Sequence, residues 1–398
     1  MRYDVIVIGA GPSGSTAARE CAARGLSVLL LDKAAFPRDK PCGGGVTARA
    51  ARLLPFSLAP VVEQTSYGIR FSLRRHPRVT QSSLEPLVYF TQRSRLDLFL
   101  LDQARKAGAT LRERTSVREI ERRPLGKTVS IAVRTDRELF EGRTLVAADG
   151  ATGTTARLAG LKVGRWMGMA IEANITSSNP FPDQWKNCFG LDAGDIPGGY
   201  GWIFPKKDHL NFGVGSLPAR GFDLKYRLNQ LVRSYGFNPA SLWGLRGFPL
   251  PIRQAGAPLV DGPLLLVGDA AGLIDPFSGE GIHSALLSGM IAAKHLRSYL
   301  AGEAADLQGY RKEMEAELLE ELWLSYQLFM MFHLVAPTIA EQAHRSKAGW
   351  KQVSGIIRGE RRMTDIKKSV RPAWAAIDFA IRPRLFPFFF KLIRFLNR

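Results

Sequence analysis

Cysteine is scarce in this sequence, and its scarcity excludes two kinds of stabilisation. The 398 residues contain only Cys21, Cys42 and Cys188. Three scattered cysteines are too few for a disulfide framework or a zinc site, and we expect no metal. A reducing cytoplasm is therefore the simplest expected compartment. Because the first strand-like segment starts directly after the N-terminus, we also expect no signal peptide.

Acidic residues are outnumbered by basic ones. The chain has 55 Lys and Arg against 36 Asp and Glu, a formal net charge of +19, which favours an acidic partner such as an anionic membrane or nucleic acid. Residues 342–398 hold fourteen basic and three acidic residues, a net of +11. This segment is rich in Phe and Leu and no nucleic-acid-binding motif is visible, so we expect a membrane surface and no nucleic acid. A merely solvated basic helix is the alternative.

The chain also lacks a long hydrophobic segment that reads clearly as transmembrane. Leu322–Ala340 has 19 residues without Lys, Arg, Asp or Glu, so its length alone would permit a spanning helix. Ser325, Gln327 and Pro337 would make this segment costly in lipid, and strongly acidic residues precede it. We therefore expect a buried helix that lines an apolar cavity.

The last twelve residues have the pattern of an interfacial helix. Lys391, Arg394 and Arg398 recur at helical spacing, and Phe and Leu residues occupy the other side. Each cation near anionic lipid contributes about 1 kcal/mol, so this tail could anchor the protein reversibly. The expected location is cytoplasmic with peripheral membrane association.

The clearest motif that is present lies at the N-terminus. The apolar run Val5–Ile8 predicts a buried strand, and Gly9, Gly11 and Gly14 follow it as G-x-G-x-x-G. Gly9 would allow a tight turn, Gly11 would let a pyrophosphate approach, and Gly14 would let the next helix pack on the strand. Free amides at the helix start, which includes Pro12 and Ser13, would face the phosphates.

The next segment strengthens the dinucleotide interpretation. After a helix that ends near Gly25, residues 27–31 predict a second buried strand that ends in Asp32. A carboxylate at that position accepts a hydrogen bond from a ribose hydroxyl. A purely structural glycine turn is the alternative, but strand, helix, strand and terminal acid together disfavour it.

Later segments predict further strands and helices. A helix from Arg93 to near Gly108 precedes three short strands that resemble a meander returning to the first sheet. Longer aromatic strands over 167–215 include a hairpin. A buried strand at 264–267 then leads into Gly268-Asp269 and a helix from near Gly281 to Leu300.

One loop has an unusual composition. Phe36 to Val46 contains two prolines, then Cys42 and three successive glycines, Gly43, Gly44 and Gly45. Three glycines cost backbone entropy unless the chain must approach another group closely. A flexible surface turn is the alternative.

These segments together resemble the geranylgeranyl reductase family, flavoproteins of the group that includes the para-hydroxybenzoate hydroxylases. The resemblance covers most of the chain. Its specific motifs are the Cys-Gly-Gly-Gly loop at 42–45 and Tyr200-Gly-Trp-Ile-Phe-Pro205. The motifs shared with the larger flavoprotein group are the N-terminal glycines with Asp32, Arg93-x-x-Leu-Asp97, Asp149-Gly150 with Arg157, and Gly268-Asp269 to Gly281.

The resemblance implies FAD as the cofactor. Its binding residues would be Gly9, Gly11, Pro12, Ser13, Gly14, Asp32, Lys33, Cys42, Gly43, Gly44, Arg93, Asp149, Gly150, Gly268, Asp269, Gly279, Gly281 and Ile282. Asp269 would accept a ribityl hydroxyl, and Arg93 would lie near the phosphates or ribose. The helix start at Gly281 would direct its amides and positive dipole end at the flavin pyrimidine edge. Ordinary helix N-caps are the alternative for Asp149 and Asp269.

The implied fold class is α/β, with a Rossmann-type FAD-binding domain like that of para-hydroxybenzoate hydroxylase. A substrate domain with a mixed or antiparallel sheet is inserted into it, and a helical C-terminal region follows. The predicted ranges are 1–65, 91–160 and 255–300 for the FAD-binding domain, 66–90 and 161–254 for the substrate domain, and 301–398 for the helical region.

The function implied is reduction of isolated double bonds in a prenyl chain carried by a lipid, diphosphate, chlorophyll or quinone. Such bonds are not polarised, so hydride from reduced flavin must be coupled to protonation. Cys42 is the candidate proton donor, because the resemblance places its loop beside the flavin and a thiol is largely protonated near neutral pH. A small structural filler is the alternative for Cys42. Gly43, Gly44, Tyr200 and Trp202 complete the candidate catalytic set, with hairpin core as the alternative for the two aromatics.

Two other functions use the same motifs. A flavin-dependent monooxygenase or halogenase would act on a small aromatic or lipid substrate, although halogenases carry a second tryptophan in the segment where this chain has Tyr200. A non-catalytic flavin-binding membrane protein would leave the Cys42 loop without a purpose. The expected electron donor is NAD(P)H or a ferredoxin-like protein, since the single dinucleotide motif is taken by FAD.

Overall fold

The computed structural model describes residues 2–73, 78–125, 128–176, 183–196, 198–217, 223–335 and 346–369. Its strands are β1 (Arg2–Ile8), β2 (Val28–Leu31), β3 (Gly45–Thr47), β4 (Gln64–Ser66), β5 (Gly68–Leu73), β6 (Arg78–Ser82), β7 (Val88–Phe90), β8 (Thr110–Arg112), β9 (Val117–Leu125), β10 (Thr128–Thr135), β11 (Leu139–Ala147), β12 (Arg165–Thr176), β13 (Cys188–Ala193), β14 (Gly199–Pro205), β15 (His209–Ser216), β16 (Trp243–Arg253), β17 (Val260–Asp261) and β18 (Leu264–Leu266).

The α-helices are α1 (Pro12–Ala23), α2 (Ala48–Ala51), α3 (Arg93–Lys106), α4 (Thr155–Leu158), α5 (Leu224–Ser234), α6 (Ile282–Leu300), α7 (Gln308–Met314), α8 (Glu320–Val335), α9 (Lys347–Arg358) and α10 (Met363–Ser369). A π-helical segment, Glu315–Leu319, joins α7 to α8, and short 3₁₀ helices include Gly268–Ala271.

The described chain forms two compact units. The first contains the residues up to Lys40, Arg93–Trp166 and Leu250–Glu320, and the second contains Pro41–Gln92, Met167–Pro249 and the described residues after Glu320. Their limits differ from the predicted domain ranges. Residues 91–92 and the described residues after Glu320 belong to the second unit, and residues 161–166 and 250–254 belong to the first. Residues 41–65 belong to the second unit because β3 and β4 both pair with β7, and residues 301–320 belong to the first.

The first unit is built on a mixed sheet with the order β17-β18-β11-β1-β2-β8, in which β18, β11, β1, β2 and β8 are parallel and β17 pairs antiparallel with β18. β1 pairs in parallel with β2 and with β11, as expected for a dinucleotide-binding fold. The predicted meander is confirmed, because β9, β10 and β11 pair successively in antiparallel fashion and β11 enters the parallel sheet. The four residues of β2 are all buried, which explains why its sequence is apolar without alternation.

Helices α1 and α6 pack together in this unit at a glycine. A side chain at Gly289 would meet the backbone of α1, with the Ser13 carbonyl oxygen 2.7 Å from an added Cβ. The strand, helix and strand predicted for the first 31 residues are confirmed, as is the helix from near Gly281 to Leu300. Because α1 and α6 contact each other, the two motifs that follow β1 and β18 lie in one unit.

The second unit contains a seven-stranded sheet with the order β16-β12-β15-β14-β13-β5-β6 and a smaller sheet of β3, β7 and β4. The predicted hairpin is β14 and β15, which pair from Gly199 opposite Ser216 to Pro205 opposite Leu210. Side chains on one face, among them Ala173, Ile203 and Phe212, form a core with α5. Because side chains alternate along a strand, Glu172, Trp202 and Asn211 lie on the opposite face.

Helix α8 is largely buried up to Met330, where the description of its side chains ends. In α8, Leu322, Leu324, Tyr326, Phe329 and Met330 are buried. Ser325 and Gln327 are buried as well, so protein encloses both polar and apolar side chains of this helix. None of the helices in the described ranges has the length and apolar character that a bilayer crossing requires. The predicted basic tail at residues 387–398 lies outside the described residues.

Candidate functional site

In the turn after β1, two positions can be occupied only by glycine. Gly9 has a φ of +102°, and an added Cβ would overlap the carbonyl oxygen of Ala148. At Gly14, an added Cβ would overlap the carbonyl oxygen of Gly9. The first turn of α1 therefore lies against the end of β1, which is the close packing that the sequence motif predicts.

The N-terminus of α1 is suited to an anion. Gly11 is the N-cap, Pro12 occupies the first turn, and no side chain of the described residues caps the helix. The amides of the first turn, including that of the buried Ser13, are consequently not used by a capping side chain. A Cβ at Gly11 would lie 3.3 Å from Arg38 Nη2, so a guanidinium stands beside the turn. A helix dipole and a neighbouring cation together favour phosphate.

Asp32 follows β2 and is only 9% exposed. Its two carboxylate oxygens accept hydrogen bonds from the amides of Ala10 (2.7 Å) and Ala34 (2.8 Å). Because a carboxylate oxygen can accept two hydrogen bonds, this anchoring leaves acceptor capacity for a ribose hydroxyl. Lys33, the next predicted cofactor residue, is exposed.

Arg93 is held by a buried carboxylate. Its Nε and Nη2 donate to Asp97 Oδ1 (2.7 Å) and Oδ2 (2.8 Å), one turn later in α3. Asp97 is fully buried and also forms an ion pair with Arg38, with 3.0 Å between Nη2 and Oδ2. The i, i+4 spacing of Arg93 and Asp97 is visible in the sequence, but no local signal points to Arg38.

Asp149 has a local structural role. Its Oδ2 accepts hydrogen bonds from the Thr155 amide (2.8 Å) and hydroxyl (2.7 Å), which fastens the turn between β11 and α4. Gly150 adopts a φ of +78°, and an added Cβ there would have no neighbour within 4 Å.

The segment after β18 places a second carboxylate near a helix start. Gly268 has a φ of +55°, and its amide donates to Ser288 Oγ at 3.0 Å. Asp269 forms an ion pair with Lys40, with 3.4 Å between Nζ and Oδ2. A Cβ at Gly281 would lie 3.3 Å from Asp269 Oδ1, so this carboxylate lies beside the N-cap of α6.

The same loop has no side-chain cap on α6 in the described chain. Gly279 has a φ of +68°, and Ile282 is the buried first residue of the helix. The uncapped starts of α1 and α6, the anchored Asp32 and the Arg38 guanidinium all belong to the first unit. These residues fit a dinucleotide cofactor, because they combine anion-binding amides with a carboxylate for ribose.

In the second unit, the loop that follows Pro41 rests on aromatic rings. A Cβ at Gly43 would lie 2.6 Å from the Phe204 ring and 3.2 Å from Trp202 Nε1. Gly44 has a φ of +67°, and an added Cβ would overlap the Thr91 carbonyl oxygen. The structure therefore brings together the two motifs that are specific to the family resemblance, and glycine is required because the loop contacts the rings with its backbone.

A buried lysine fixes this loop from one side. Lys206 is 3% exposed, and its Nζ donates to the carbonyl oxygens of Gly43 (2.6 Å) and Thr91 (2.8 Å). The ammonium also lies 5.2 Å from the centre of the Phe90 ring. Burial lowers the pKa of Lys206 to about 8, while electrostatic interaction with Cys42, Glu63 and Glu172 opposes that shift.

A buried carboxyl group holds the loop from another side. Glu172 Oε1 accepts a hydrogen bond from the Cys42 amide at 2.8 Å. Its other oxygen, Oε2, is buried without a hydrogen-bond partner among the described residues. Burial raises the pKa of Glu172 above its ordinary value, although the Cys42 amide, Lys206, Asn211 and Arg246 act in the opposite direction. Lys206 and Glu172 were not predicted, because their burial depends on strand register.

Trp202 is fixed beneath the loop. Its Nε1 donates to Asn211 Oδ1 (2.8 Å), and Asn211 Nδ2 donates to Asn174 Oδ1 (2.9 Å). Gly213 lies opposite Trp202 in the hairpin, and an added Cβ at that position would overlap the indole. Tyr200 is on the same face, with its ring centre 6.3 Å from that of Trp202. The indole thus forms a rigid floor for Gly43.

The thiol of Cys42 is half-buried, and its sulfur accepts a hydrogen bond from the Gly44 amide at 3.4 Å. Burial disfavours ionisation of Cys21 and Cys188. Burial raises the pKa of Cys21 to about 12, and burial also raises the pKa of Cys188. In the described residues, no group of three or more His, Cys, Asp and Glu side chains is arranged to hold a metal ion.

Comparisons with known proteins identify the cofactor-binding part of the chain. Residues 2–191 match the FAD binding domain family. The chain is 32% identical to geranylgeranyl diphosphate reductase of Rhodobacter capsulatus over 326 residues, which cover 79% of this chain and 81% of the relative. It is also 32% identical to menaquinone reductase of Mycolicibacterium smegmatis over 316 residues, 75% and 77% of the two chains.

Solved structures share the fold. A geranylgeranyl bacteriochlorophyll reductase-like protein from Thermoplasma acidophilum superposes with a TM-score of 0.78 at 23% identity, covering 93% of this chain and 99% of that one. A triple mutant of the flavin-dependent brominase Bmp2 gives a TM-score of 0.71 at 20% identity, with 90% and 94% covered. At these identities, the structural likeness shows the para-hydroxybenzoate hydroxylase-like fold alone.

Proposed function

The chain belongs to the geranylgeranyl reductase family of FAD-dependent oxidoreductases, and we propose that it saturates isolated double bonds in the prenyl chain of a lipid, diphosphate, chlorophyll or quinone. The observation that supports this proposal most directly is the Cys42 loop. A thiol-bearing loop is fixed by Lys206 and Glu172 on a floor of Trp202 and Phe204. A binding protein without catalysis would have no use for a thiol positioned in this way.

The cofactor site is proposed to follow the geometry of the first unit. The amides of Gly11, Ser13 and Gly14 and the Arg38 guanidinium would bind the diphosphate, and Asp32 would accept a ribose hydroxyl. Asp269 and the start of α6 would hold the flavin end of the cofactor. Reduced FAD, when bound, would supply a hydride to the substrate.

Cys42 is proposed to supply the proton. An isolated trisubstituted double bond accepts a hydride only if positive charge develops on its tertiary carbon, so a proton must be added in the same reaction. The Cys42 S–H bond would break, its proton would form the new C–H bond, and the electron pair would stay on sulfur. Solvent then returns a proton to the thiolate. Glu172 and the Gly44 amide hold the backbone and sulfur in place for this transfer.

Substrate binding is proposed to depend on apolar contact. Burying prenyl carbon contributes about 0.8 kcal/mol per methylene, so a long chain needs few polar contacts. The face of the seven-stranded sheet that carries Tyr200, Trp202 and Phe204 offers aromatic surface for such a chain. Electrons would come from NAD(P)H or a ferredoxin-like protein, and the basic tail would bring the enzyme to an anionic membrane.

An anaerobic experiment tests this function. The FAD-loaded protein is reduced with dithionite and mixed with geranylgeranyl diphosphate, menaquinone or a geranylgeranylated glycerolipid. The proposal expects flavin reoxidation together with a gain of two hydrogens in the prenyl chain, measured by mass spectrometry. No reoxidation with any of these compounds, followed by oxygenated or halogenated product when air is admitted, would instead indicate a monooxygenase or halogenase.

The role of Cys42 has a matched control in the same chain. C42S should lower the single-turnover rate of prenyl reduction at least about 100-fold, because a hydroxyl is a far weaker acid than a thiol. C188S removes another partly buried thiol and should retain the wild-type rate. Equal rates for C42S and wild type would exclude Cys42 as the proton donor without excluding the reductase.

A further inference from the structure

We propose that Lys206 is a positioning residue that fixes the Cys42 loop and balances the negative charge left on Cys42 sulfur when the thiol gives up its proton. This inference rests on the proposed function only in taking a carbon of the prenyl double bond as the group that accepts the proton. In the step concerned, the S–H bond breaks, the proton goes to the substrate carbon, and the electron pair remains on sulfur. A proton from water later restores the thiol.

The hydrogen bonds of Lys206 support its proposed role in fixing the Cys42 loop. Its ammonium donates to Gly43 and Thr91, one carbonyl from each of the two segments that meet at the loop. The Thr91 amide in turn donates to the Gly44 carbonyl at 2.9 Å. Lys206 therefore joins the loop to the end of β7, and both acceptors are neutral. Its charge is not cancelled by a hydrogen-bonded carboxylate in these two contacts.

The position of Gly44 supports the proposed role of Lys206 in balancing the charge on Cys42 sulfur. The Gly44 amide donates to Cys42 Sγ, while an added Cβ at Gly44 would lie 2.8 Å from Lys206 Nζ. One glycine thus separates the sulfur from the ammonium. A side chain at this position would lie against the ammonium, which glycine avoids.

The other charged groups around Lys206 leave this role open to Cys42. Glu63 and Glu172 interact electrostatically with the ammonium, and Arg246 on β16 interacts electrostatically with Glu172. Burial favours the neutral form of Glu172, which weakens it as a permanent counter-ion. A thiolate at Cys42 would therefore meet a buried cation that is held in place before the charge forms.

The experiment measures the reactivity of Cys42 and needs no prenyl substrate. The FAD-loaded wild type, K206Q, K206R and K207Q are alkylated with iodoacetamide, and the modified Cys42 peptide is quantified by mass spectrometry. Gln keeps two N–H donors but no charge, Arg keeps the charge, and Lys207 is the exposed neighbour of Lys206. The Cys188 peptide provides an internal reference in every sample.

The expected result is a slower reaction only where the charge is lost. K206Q should alkylate Cys42 about tenfold more slowly at pH 7.5, because removal of a nearby cation disfavours the reactive thiolate. K206R should stay within about twofold of wild type, and K207Q should be unchanged. A wild-type rate in K206Q, or an equal slowing in K206R, would overturn the proposal.

A second comparison applies if K206Q does not fold. Lys206 loses its charge as pH rises through about 8, whereas arginine stays charged. The wild-type alkylation rate should therefore climb less steeply than the K206R rate between pH 8 and 9. Identical profiles would refute the proposal. Because alkylation is independent of turnover, a failure of prenyl reduction and a failure of the Lys206 role give different results.

Discussion

At the scale of single residues, the buried lysine should give the protein an unusual dependence of stability on pH. The pKa of Lys206 is about 8 in the folded chain against 10.5 ordinarily, so the unfolded state binds more protons between these values. Stability then rises with pH, and the free energy of unfolding of wild type relative to K206M should increase by about 2 kcal/mol from pH 7 to 9.5. Urea denaturation at both pH values measures this change.

The exposed neighbour supplies the control for that measurement. K207M removes a solvated lysine, so its difference from wild type should be the same at both pH values. A difference between wild type and K206M that stays constant or falls with pH would show that folding does not lower the pKa of Lys206.

Glu172 should have the opposite dependence. Its pKa is raised by burial, so the folded state binds the extra proton above the ordinary pKa of 4.5, and stability falls as pH rises. E172Q keeps an oxygen for the Cys42 amide but cannot ionise. The variant should therefore gain stability relative to wild type on going from pH 4 to 8 in chemical denaturation. If the stability of E172Q relative to wild type is the same at both pH values, folding does not raise the pKa of Glu172.

At the scale of elements, the contact between α1 and β1 can be separated from simple backbone strain. G14A should destabilise the chain by about 2 kcal/mol or more and abolish FAD retention, since the new Cβ would overlap the Gly9 carbonyl. G25A is the control at the other end of α1, where φ is +80° but an added Cβ has no neighbour. It should cost about 1 kcal/mol and keep the cofactor. Thermal melts and flavin absorbance report both effects.

Local patterns predicted the elements whose partners are close in sequence. The β1-α1-β2 unit and the β14-β15 hairpin follow from periodicity and turn residues, and the structure confirms them. The contacts of Lys206 and Glu172 with the Cys42 loop were not predictable, because register between distant strands decides which side chains are buried. Glu172 faces the Cys42 loop only because β12 pairs with β15, and Lys206 cannot be told from Lys207 by sequence alone.

The Arg38 guanidinium illustrates the same limit in a loop. It reaches Asp97 across 59 residues of sequence and stands beside Gly11, with no local periodicity to indicate either contact. By contrast, the dipole and amides at the start of α1 were predictable, because they are properties of the helix itself. Backbone features of the cofactor site were thus accessible from sequence, and its long-range side-chain contacts were not.

At the scale of the whole molecule, the uneven charge predicts membrane binding that depends on the tail. The triple variant K391E, R394E and R398E should weaken association with anionic vesicles about 100-fold or more, since each cation contributes about 1 kcal/mol. The control K106E, R137E and K225E makes the same change in net charge at exposed positions elsewhere and should bind nearly as wild type. Co-sedimentation with phosphatidylserine vesicles compares them, and equal loss in both variants would make net charge alone responsible.

The crowding around Gly44 also has an evolutionary consequence. Its positive φ, the Thr91 carbonyl and the Lys206 ammonium each forbid a side chain for an independent physical reason. We therefore expect any single substitution of Gly44 to destabilise the loop. Loss of Lys206 would remove only one of the three constraints on position 44. Lineages that abandon the lysine should keep the glycine, because the positive φ and the Thr91 carbonyl oxygen remain.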